Sequence, residues 1–334
     1  MKICIYGLGA IGGLFAARLS ESGHEVSAVA RGETLAAVAQ HGLTLYKQGS
    51  VTEIDRRVPL RVTDDPAELG PQDWVIITVK STALPAIAKK IAPLLGAETR
   101  VLSAMNGVPW WFFSGLPEAP GHIALPSVDP GGKVSAAIDA SRVIGCVTYL
   151  SASSPVPGSV SPIEDRTIIV GDAVGKQTDP ARAIGRVLRD AGFDVTDSDH
   201  IQRDIWYKLW GNMTVNPISA IAGAKGDRIL SDEYVRAFMS RAMRESAAVG
   251  AKIGIAIDDD PEARHALTAQ LGAFKTSMLQ DVEAKKPIEL DALVGAVLDI
   301  ARAVNVDVPN IETLFGLARL FARQRGLYSE AFGE

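Results

Sequence analysis

Short apolar runs alternate with stretches of 3.6-residue apolar spacing over the first two hundred positions. Residues 2–6 (KICIY) form a β-rich run, and 11–22 carry helical spacing that stops at Gly23. A second strand is predicted over 25–30, and a helix over 34–41 that Gly42 terminates. Residues 73–79 (DWVIITV) are nearly continuously apolar, as a parallel strand covered on both faces must be. The spacing predicts a helix over 82–95, interrupted near Pro85, and a further buried strand over 100–104. Alternation of this kind makes an open parallel sheet with helices on both faces.

The signal changes after residue 143. Two β-rich runs, 143–150 and 167–170, flank a Ser/Pro/Gly-rich stretch at 151–162 and are predicted to close the sheet edge as antiparallel strands. A helix over 180–191 ends at Gly192, and 193–196 supply a last strand. Beyond about residue 200 the chain is helical, with apolar spacing over 201–221, 232–253, 261–283, 289–304 and 311–325. The expected division is therefore an α/β domain over 1–198 and an all-helical domain over 199–334. The helices over 289–304 and 311–322 are apolar enough to serve either a homodimer interface or the core of their own domain.

Composition narrows the class. With 334 residues, 47% of them hydrophobic, the chain can bury a large core. A net charge of −5 gives no global pull toward nucleic acid or anionic lipid. No uncharged apolar run is long enough to span a membrane, and the N-terminus enters a strand with no leader pattern, so a cytoplasmic protein handling small molecules is expected. Cys4 and Cys146 sit in apolar runs, as buried small hydrophobes do, and no Cys/His spacing suggests a metal site.

The chemistry starts at Gly7-Leu8-Gly9-Ala10-Ile11-Gly12, a G-x-G-x-x-G that follows a strand, opens a helix and leads to a second strand within thirty residues. Gly7 permits the tight turn, Gly9 lets backbone approach a pyrophosphate, and Gly12 lets helix pack on strand. The helix N-terminus offers unpaired N–H groups and partial positive charge to phosphate. At the end of the second strand stands Arg31, where an NAD site places a carboxylate; a cation there suits the 2′-phosphate of NADP, with Glu33 as a nearby rival. Lys80 and Asn106 follow the later strands, at carboxyl ends where ligands gather in such sheets. Each is open to a functional reading or to that of an ordinary loop residue.

Outside the glycine loop, IWYKLWGNMTVNP (205–217) is the most informative segment. Lys208, Asn212 and Asn216 fall at i, i+4 and i+8, one stripe on a helix otherwise rich in Trp, Leu, Met and Val. A lysine there is costly unless it has a partner or lines a cleft, and burial lowers a lysine's pKa in the direction a general acid needs. Pro217 disfavours αR at Asn216, which predicts a kink. The polar residues of SMLQD (277–281) and IELD (288–291), taken alone, read as ordinary amphipathic helix surface.

GLGAIGG, Arg31, TVKS, MNGV, KLWGNMTVNP, SMLQD and IELD occur in order along essentially the whole chain, and together they resemble the ketopantoate reductase family. The resemblance implies a Rossmann domain, a helical domain similar to that of 6-phosphogluconate dehydrogenase, NADP as cofactor, and NADPH-dependent reduction of 2-dehydropantoate to pantoate on the route to pantothenate. It implies Lys208 as the general acid for the carbonyl oxygen and Glu289 as the residue that contacts a substrate hydroxyl or orients the lysine. Asn212, Asn216, Ser277 and Asn106 are implied as substrate binders, with Lys80 and Asn106 near the nicotinamide. The chain departs from the family pattern at the aromatic run Trp110–Phe113, where side chains could narrow or cover the pocket, at 127–132, and at the acidic pair Glu164-Asp165. The rival readings are a reductase of another 2-keto acid and a non-catalytic NADPH-binding sensor.

Overall fold

The computed structural model describes residues 1–328 apart from 117, 122, 164, 165 and 177; the Glu164-Asp165 departure thus lies outside the described residues. Two compact units result, one of residues 1–105 with 133–201 and the other of 106–132 with 202 onward.

The first unit begins as its apolar pattern dictates. Strand β1 (Lys2–Tyr6) runs into helix α1 (Ala10–Glu21), then β2 (Glu25–Val29) and α2 (Gly32–His41). Three strands follow that the apolar pattern did not announce, namely β3 (Leu43–Tyr46), β4 (Ile54–Val58) and β5 (Arg61–Thr63). Next come β6 (Trp74–Ile77), α3 (Leu84–Ala88), β7 (Arg100–Ser103), α4 (Lys133–Ala137) and β8 (Val143–Thr148). The expected helix over 82–95 is cut to the five residues of α3 between 3₁₀ turns, with Pro85 and Pro93 each at the start of a new turn, where a missing N–H costs least. Strands β9 (Ala152–Ser153), β10 (Ser159–Pro162) and β11 (Thr167–Asp172), helix α5 (Asp179–Asp190) and β12 (Asp194–Ser198) complete the unit.

Eight strands form the main sheet in the order β12-β11-β8-β7-β6-β1-β2-β5. From β5 to β8 every pairing is parallel, which is the three-two-one-four-five-six order of a Rossmann sheet. Strand β11 joins β8 antiparallel, as expected of a closing edge, and β12 pairs parallel with β11 outside it. A second sheet, β4-β3-β10-β9, covers the opposite side of α1. There a Cβ on Gly13 would stand 2.3 Å from Val160 Cγ2, so α1 is gripped between two sheets and only glycine fits at the contact. Cys4 is buried, which pushes its thiol up to about 12, and Cys146 is buried as well.

The second unit is helical apart from its loops. Helix α6 (Ile201–Ala222) carries Pro217 inside it and buries Trp206, Leu209, Trp210 and Met213. It is followed by α7 (Gly226–Ser231), α8 (Glu233–Lys252) and α9 (Pro261–Ala269). The expected helix over 261–283 is two elements: α9 stops near Gly272, whose φ is +64°, and α10 (Ser277–Glu283) restarts on a Thr276 cap whose Oγ1 accepts the Leu279 N–H at 3.1 Å. A π turn at Asp291–Gly295 leads into α11 (Ala296–Ala303), and α12 (Pro309–Arg323) closes the unit. Helix α11 is buried in this unit, whereas α12 leaves Leu317 and Leu320 exposed. Among the described residues no helix is long and apolar enough to cross a membrane.

Segment 106–132, which the sequence reading assigned to the first domain, packs in the second unit. Phe112 stacks on Trp206 at 5.9 Å between centroids, and Ser127 N–H donates to Asp299 Oδ2 at 2.9 Å. Trp110, Trp111 and Phe112 are buried there, so three of the four aromatics of the expected pocket cover are core.

Between α8 and α9, Ser240 Oγ donates to Glu262 Oε1 at 3.1 Å and lies 3.0 Å from Nε2 of the buried His265. Burial holds the imidazole below its ordinary value, partly opposed by Glu262. A group with a lowered folded-state pKa binds its proton first in the unfolded chain, so stability falls as pH drops through the ordinary value of 6.5. His265→Gln, which keeps a hydrogen-bonding group opposite Ser240, is expected to lose less stability than the parent between about pH 7.5 and about pH 5.5. Urea midpoints by circular dichroism at both pH values check this; parallel losses in the two proteins would contradict it.

Candidate active site

In the first unit the turn after β1 is built by contacts that exclude side chains. Gly7 has φ +106°, and a Cβ there would meet Val79 Cγ1 at 2.5 Å. A Cβ on Gly12 would fall 2.0 Å from Gly7 O and 2.4 Å from Thr78 Oγ1. Thr78 Oγ1 donates to Gly7 O at 2.6 Å and ties the turn to the end of β6. Gly9 is different: nothing lies within 4 Å of a Cβ built on it, and no side chain caps the N-terminus of α1 that it precedes. The turn therefore presents bare backbone N–H groups of Leu8, Ala10 and Ile11 around an open position, a cradle suited to a diphosphate.

The sheet order sets cations on both sides of this turn. Tyr6 pairs with Val29 of β2 and with Ile77 of β6, so Arg31, two residues past Val29, and Lys80, three past Ile77, flank Gly7. Arg31 is exposed at the start of α2, with Glu33 in the first helical turn; Lys80 is half-buried before a 3₁₀ turn. The Arg31 charge is felt at Tyr6, where it opposes the burial that pushes the phenol up to about 12. Thr78 was not singled out in the sequence, although its hydroxyl locks the turn.

In the second unit Lys208 Nζ donates to Asn106 Oδ1 at 2.8 Å. These two residues are 102 positions apart, and their meeting rests on the loop that Asn106 opens. Gly107 has φ +83°, and a Cβ there would sit 2.4 Å from Ala292 O. That carbonyl accepts the Val108 N–H at 2.9 Å. Ala292 belongs to the π turn, whose i→i+5 pattern is seen in the Ala296 N–H bonding back to Asp291 O. Such turns shift the carbonyl register of a helix and recur at functional sites. Asp291 itself is half-buried, which raises its carboxyl above the usual range, and it accepts the Tyr328 hydroxyl at 2.7 Å.

Asn212 lies one turn beyond Lys208 on α6 and is half-buried; Asn216, one turn further, is 5% exposed. Glu289 is half-buried just before the π turn. Ser277 is exposed in the first turn of α10, beside its buried cap Thr276. The structure thus brings Lys208 and Asn106 into contact, aligns Asn212 and Asn216 with Lys208 along one helix, and positions Glu289 next to the π turn that holds the Asn106 loop.

Family models described as "Ketopantoate reductase PanE/ApbA" and "Ketopantoate reductase PanE/ApbA C terminal" match residues 3–175 and 200–322. The chain is 38% identical over 330 residues to a 2-dehydropantoate 2-reductase of Mesorhizobium japonicum, covering 98% of this chain and 100% of that one. The crystal structure of a chain assigned as a ketopantoate reductase from Ralstonia solanacearum MolK2 superposes with a TM-score of 0.92 at 46% identity, covering 98% and 99% of the two chains. A ternary structure of D-mandelate dehydrogenase with NADH and anilino(oxo)acetate shares the fold, with a TM-score of 0.83 at 21% identity over 98% and 100%. The glycine turn on a Rossmann sheet and the lysine-bearing helix are those of an oxidoreductase. The chain belongs to the ketopantoate reductase family.

Because a Cβ on Gly12 would meet Gly7 O and Thr78 Oγ1 and one on Gly9 would meet nothing, alanine at the two positions should differ in cost. Gly12→Ala is expected to lower the unfolding free energy by about 1–3 kcal/mol through overpacking, and Gly9→Ala by about 0.5 kcal/mol or less. Denaturation followed by circular dichroism decides; equal losses would remove the packing role assigned to Gly12.

Proposed function

We propose that this protein reduces 2-dehydropantoate to pantoate with NADPH, a step toward pantothenate. The observation that carries this reading is the Lys208–Asn106 hydrogen bond on the asparagine-bearing face of α6, in a chain of the ketopantoate reductase family. The 38% identical relative is a 2-dehydropantoate 2-reductase, which supports the choice of substrate.

The first unit fits a dinucleotide. The open position at Gly9 leaves room for a pyrophosphate, and the amino end of α1 supplies N–H donors from Ala10 and Ile11. Arg31 would take the 2′-phosphate, whose two charges match a guanidinium better than the hydroxyl of NAD does, and Lys80 would lie toward the nicotinamide side. When bound, the reduced nicotinamide supplies a hydride to the ketone carbon.

The second unit supplies the proton. Lys208 donates one N–H to Asn106, which holds the ammonium in place for proton transfer to a substrate oxygen. Lys208 transfers a proton to the carbonyl oxygen as negative charge builds there, and its own charge stabilises the developing alkoxide, which does not exist in the ground state. Asn106, Asn212 and Asn216 offer amide groups to substrate oxygens, Ser277 its hydroxyl to the carboxylate side, and Glu289 accepts from a substrate hydroxyl or orients the lysine. Ketone, hydride and proton together balance as the alcohol.

Lys208→Ala is expected to lower kcat by roughly 10² to 10⁴-fold while NADPH still binds. Steady-state rates with 2-dehydropantoate and a nucleotide fluorescence titration check this, and an unchanged kcat would end the proposed role. A panel of 2-keto acids tests the substrate; higher kcat/KM on another acid would favour a different reductase. Arg31→Ala should raise KM for NADPH about tenfold, the value of one charge-assisted hydrogen bond, with little change for NADH. Equal effects on both nucleotides would remove the 2′-phosphate assignment.

A further inference from the structure

From residue 201 to 217, the half-exposed positions of α6 are 204, 207, 208, 211 and 212. That set is i, i+3, i+4, i+7, i+8, which is one face of a helix. All other positions in this stretch are buried except Arg203, so this face is the strip on which a ligand of Lys208 and Asn212 must lie.

One side chain from another helix already rests on the strip. The Arg264 guanidinium of α9 stacks over the Tyr207 ring, 4.9 Å from its centroid. It also lies flat on Gly211: a Cβ there would stand 3.0 Å from Nε and 3.3 Å from Nη2. A Cβ there would make the guanidinium give by a few tenths of an ångström. Gly211 adjoins Asn212 and is one turn from Lys208, so the cation sits beside the face of the proton donor. Tyr207 is held in turn by its hydroxyl donating to Asp259 Oδ2 at 2.8 Å, which fixes the ring beneath the guanidinium.

What Arg264 lacks is an anion. It has no ion pair with any described carboxylate; it hydrogen-bonds the Tyr207 side chain, and its Nε, packed on Gly211, is buried with no hydrogen-bond partner. A guanidinium carries five N–H donors in a planar fork matched to a carboxylate, and a buried donor left unmatched is costly. A 2-keto acid brings a carboxylate two atoms from the oxygen that Lys208 protonates, a separation spanned by less than one helical turn.

We propose that Arg264 is a specificity-determining residue that binds the substrate carboxylate and restricts the enzyme to 2-keto acids. This rests on the reductase reading above and extends it with a second cation beside Lys208. Gly211 is its structural counterpart, kept free of a side chain so that the guanidinium can lie on the helix.

The test uses the full-length protein with Arg264→Met, which keeps the length of the side chain, and Arg264→Lys. Rates are measured on the best 2-keto acid of the panel and on its uncharged methyl ester. Arg264→Met is expected to raise KM for the acid roughly 10- to 100-fold, the range for a hydrogen bond to a charged group. Its KM for the ester and its affinity for NADPH should hold within about twofold, and Arg264→Lys should recover part of the loss. Gly211→Ala, a substitution that suits a helix, should give a smaller acid-selective rise by shifting the guanidinium a few tenths of an ångström. Equal effects on acid and ester, or an unchanged KM for the acid in both Arg264→Met and Gly211→Ala, would overturn the proposal. A parent protein that prefers a different 2-keto acid would fail the 2-dehydropantoate assignment and leave this comparison intact.

Discussion

Fixing an ammonium group at one point is the constraint on which the second unit is organised. A lysine side chain has four rotatable bonds and loses considerable entropy when held. Lys208 is held by Asn106, and Asn106 is held in its turn because the next residue but one donates its N–H to Ala292 O. The π turn that frees this carbonyl costs α-helical regularity, and Gly107 is the residue whose absent side chain lets the loop approach it. Tyr328 and the half-buried Asp291 fasten the same turn from the C-terminal side of the chain. A single hydrogen bond thus has support from three separate stretches of sequence.

In the first unit the ordering principle is exclusion. Gly7, Gly12 and Gly13 are each pressed by a neighbour that leaves no space for a Cβ, whereas Gly9 in the same turn faces open space. Backbone is brought where a ligand can reach its N–H groups, and the strand order then places a basic side chain on either hand. The small β4-β3-β10-β9 sheet braces α1 from behind, so the helix whose amino end forms the cradle is held on both faces.

Much of this was legible in the chain. The parallel strands of the main sheet are nearly continuous apolar runs, and β1, β6, β7 and β8 fall where those runs are. The stripe of Lys208, Asn212 and Asn216 needed only helical spacing. The strands of the small sheet were missed because they are short and largely polar: Ile54–Val58 reads IDRRV, with four of its five residues exposed. Segment 106–132 was assigned to the first domain because the alternation of strands gives no sign of where a loop packs, and three of its four aromatics are buried in the second unit. The break between α9 and α10 was hidden by apolar spacing that continues through Gly272. Arg264 carried no signal at all, since its meaning comes from Gly211, 53 positions away, and glycine in a buried helix resembles any small packing residue.

The chain passes between the two units three times, after residues 105, 132 and 201. Gene segments cut at a single point therefore cannot separate them. A fragment beginning at residue 202 would leave behind Phe112, the ring stacked on Trp206, and with it the asparagine that steadies Lys208. Exchange of helical halves among relatives, by recombination or by design, must carry the 106–132 excursion along with the C-terminal part, and a protease nick near residue 200 would not by itself set either half loose.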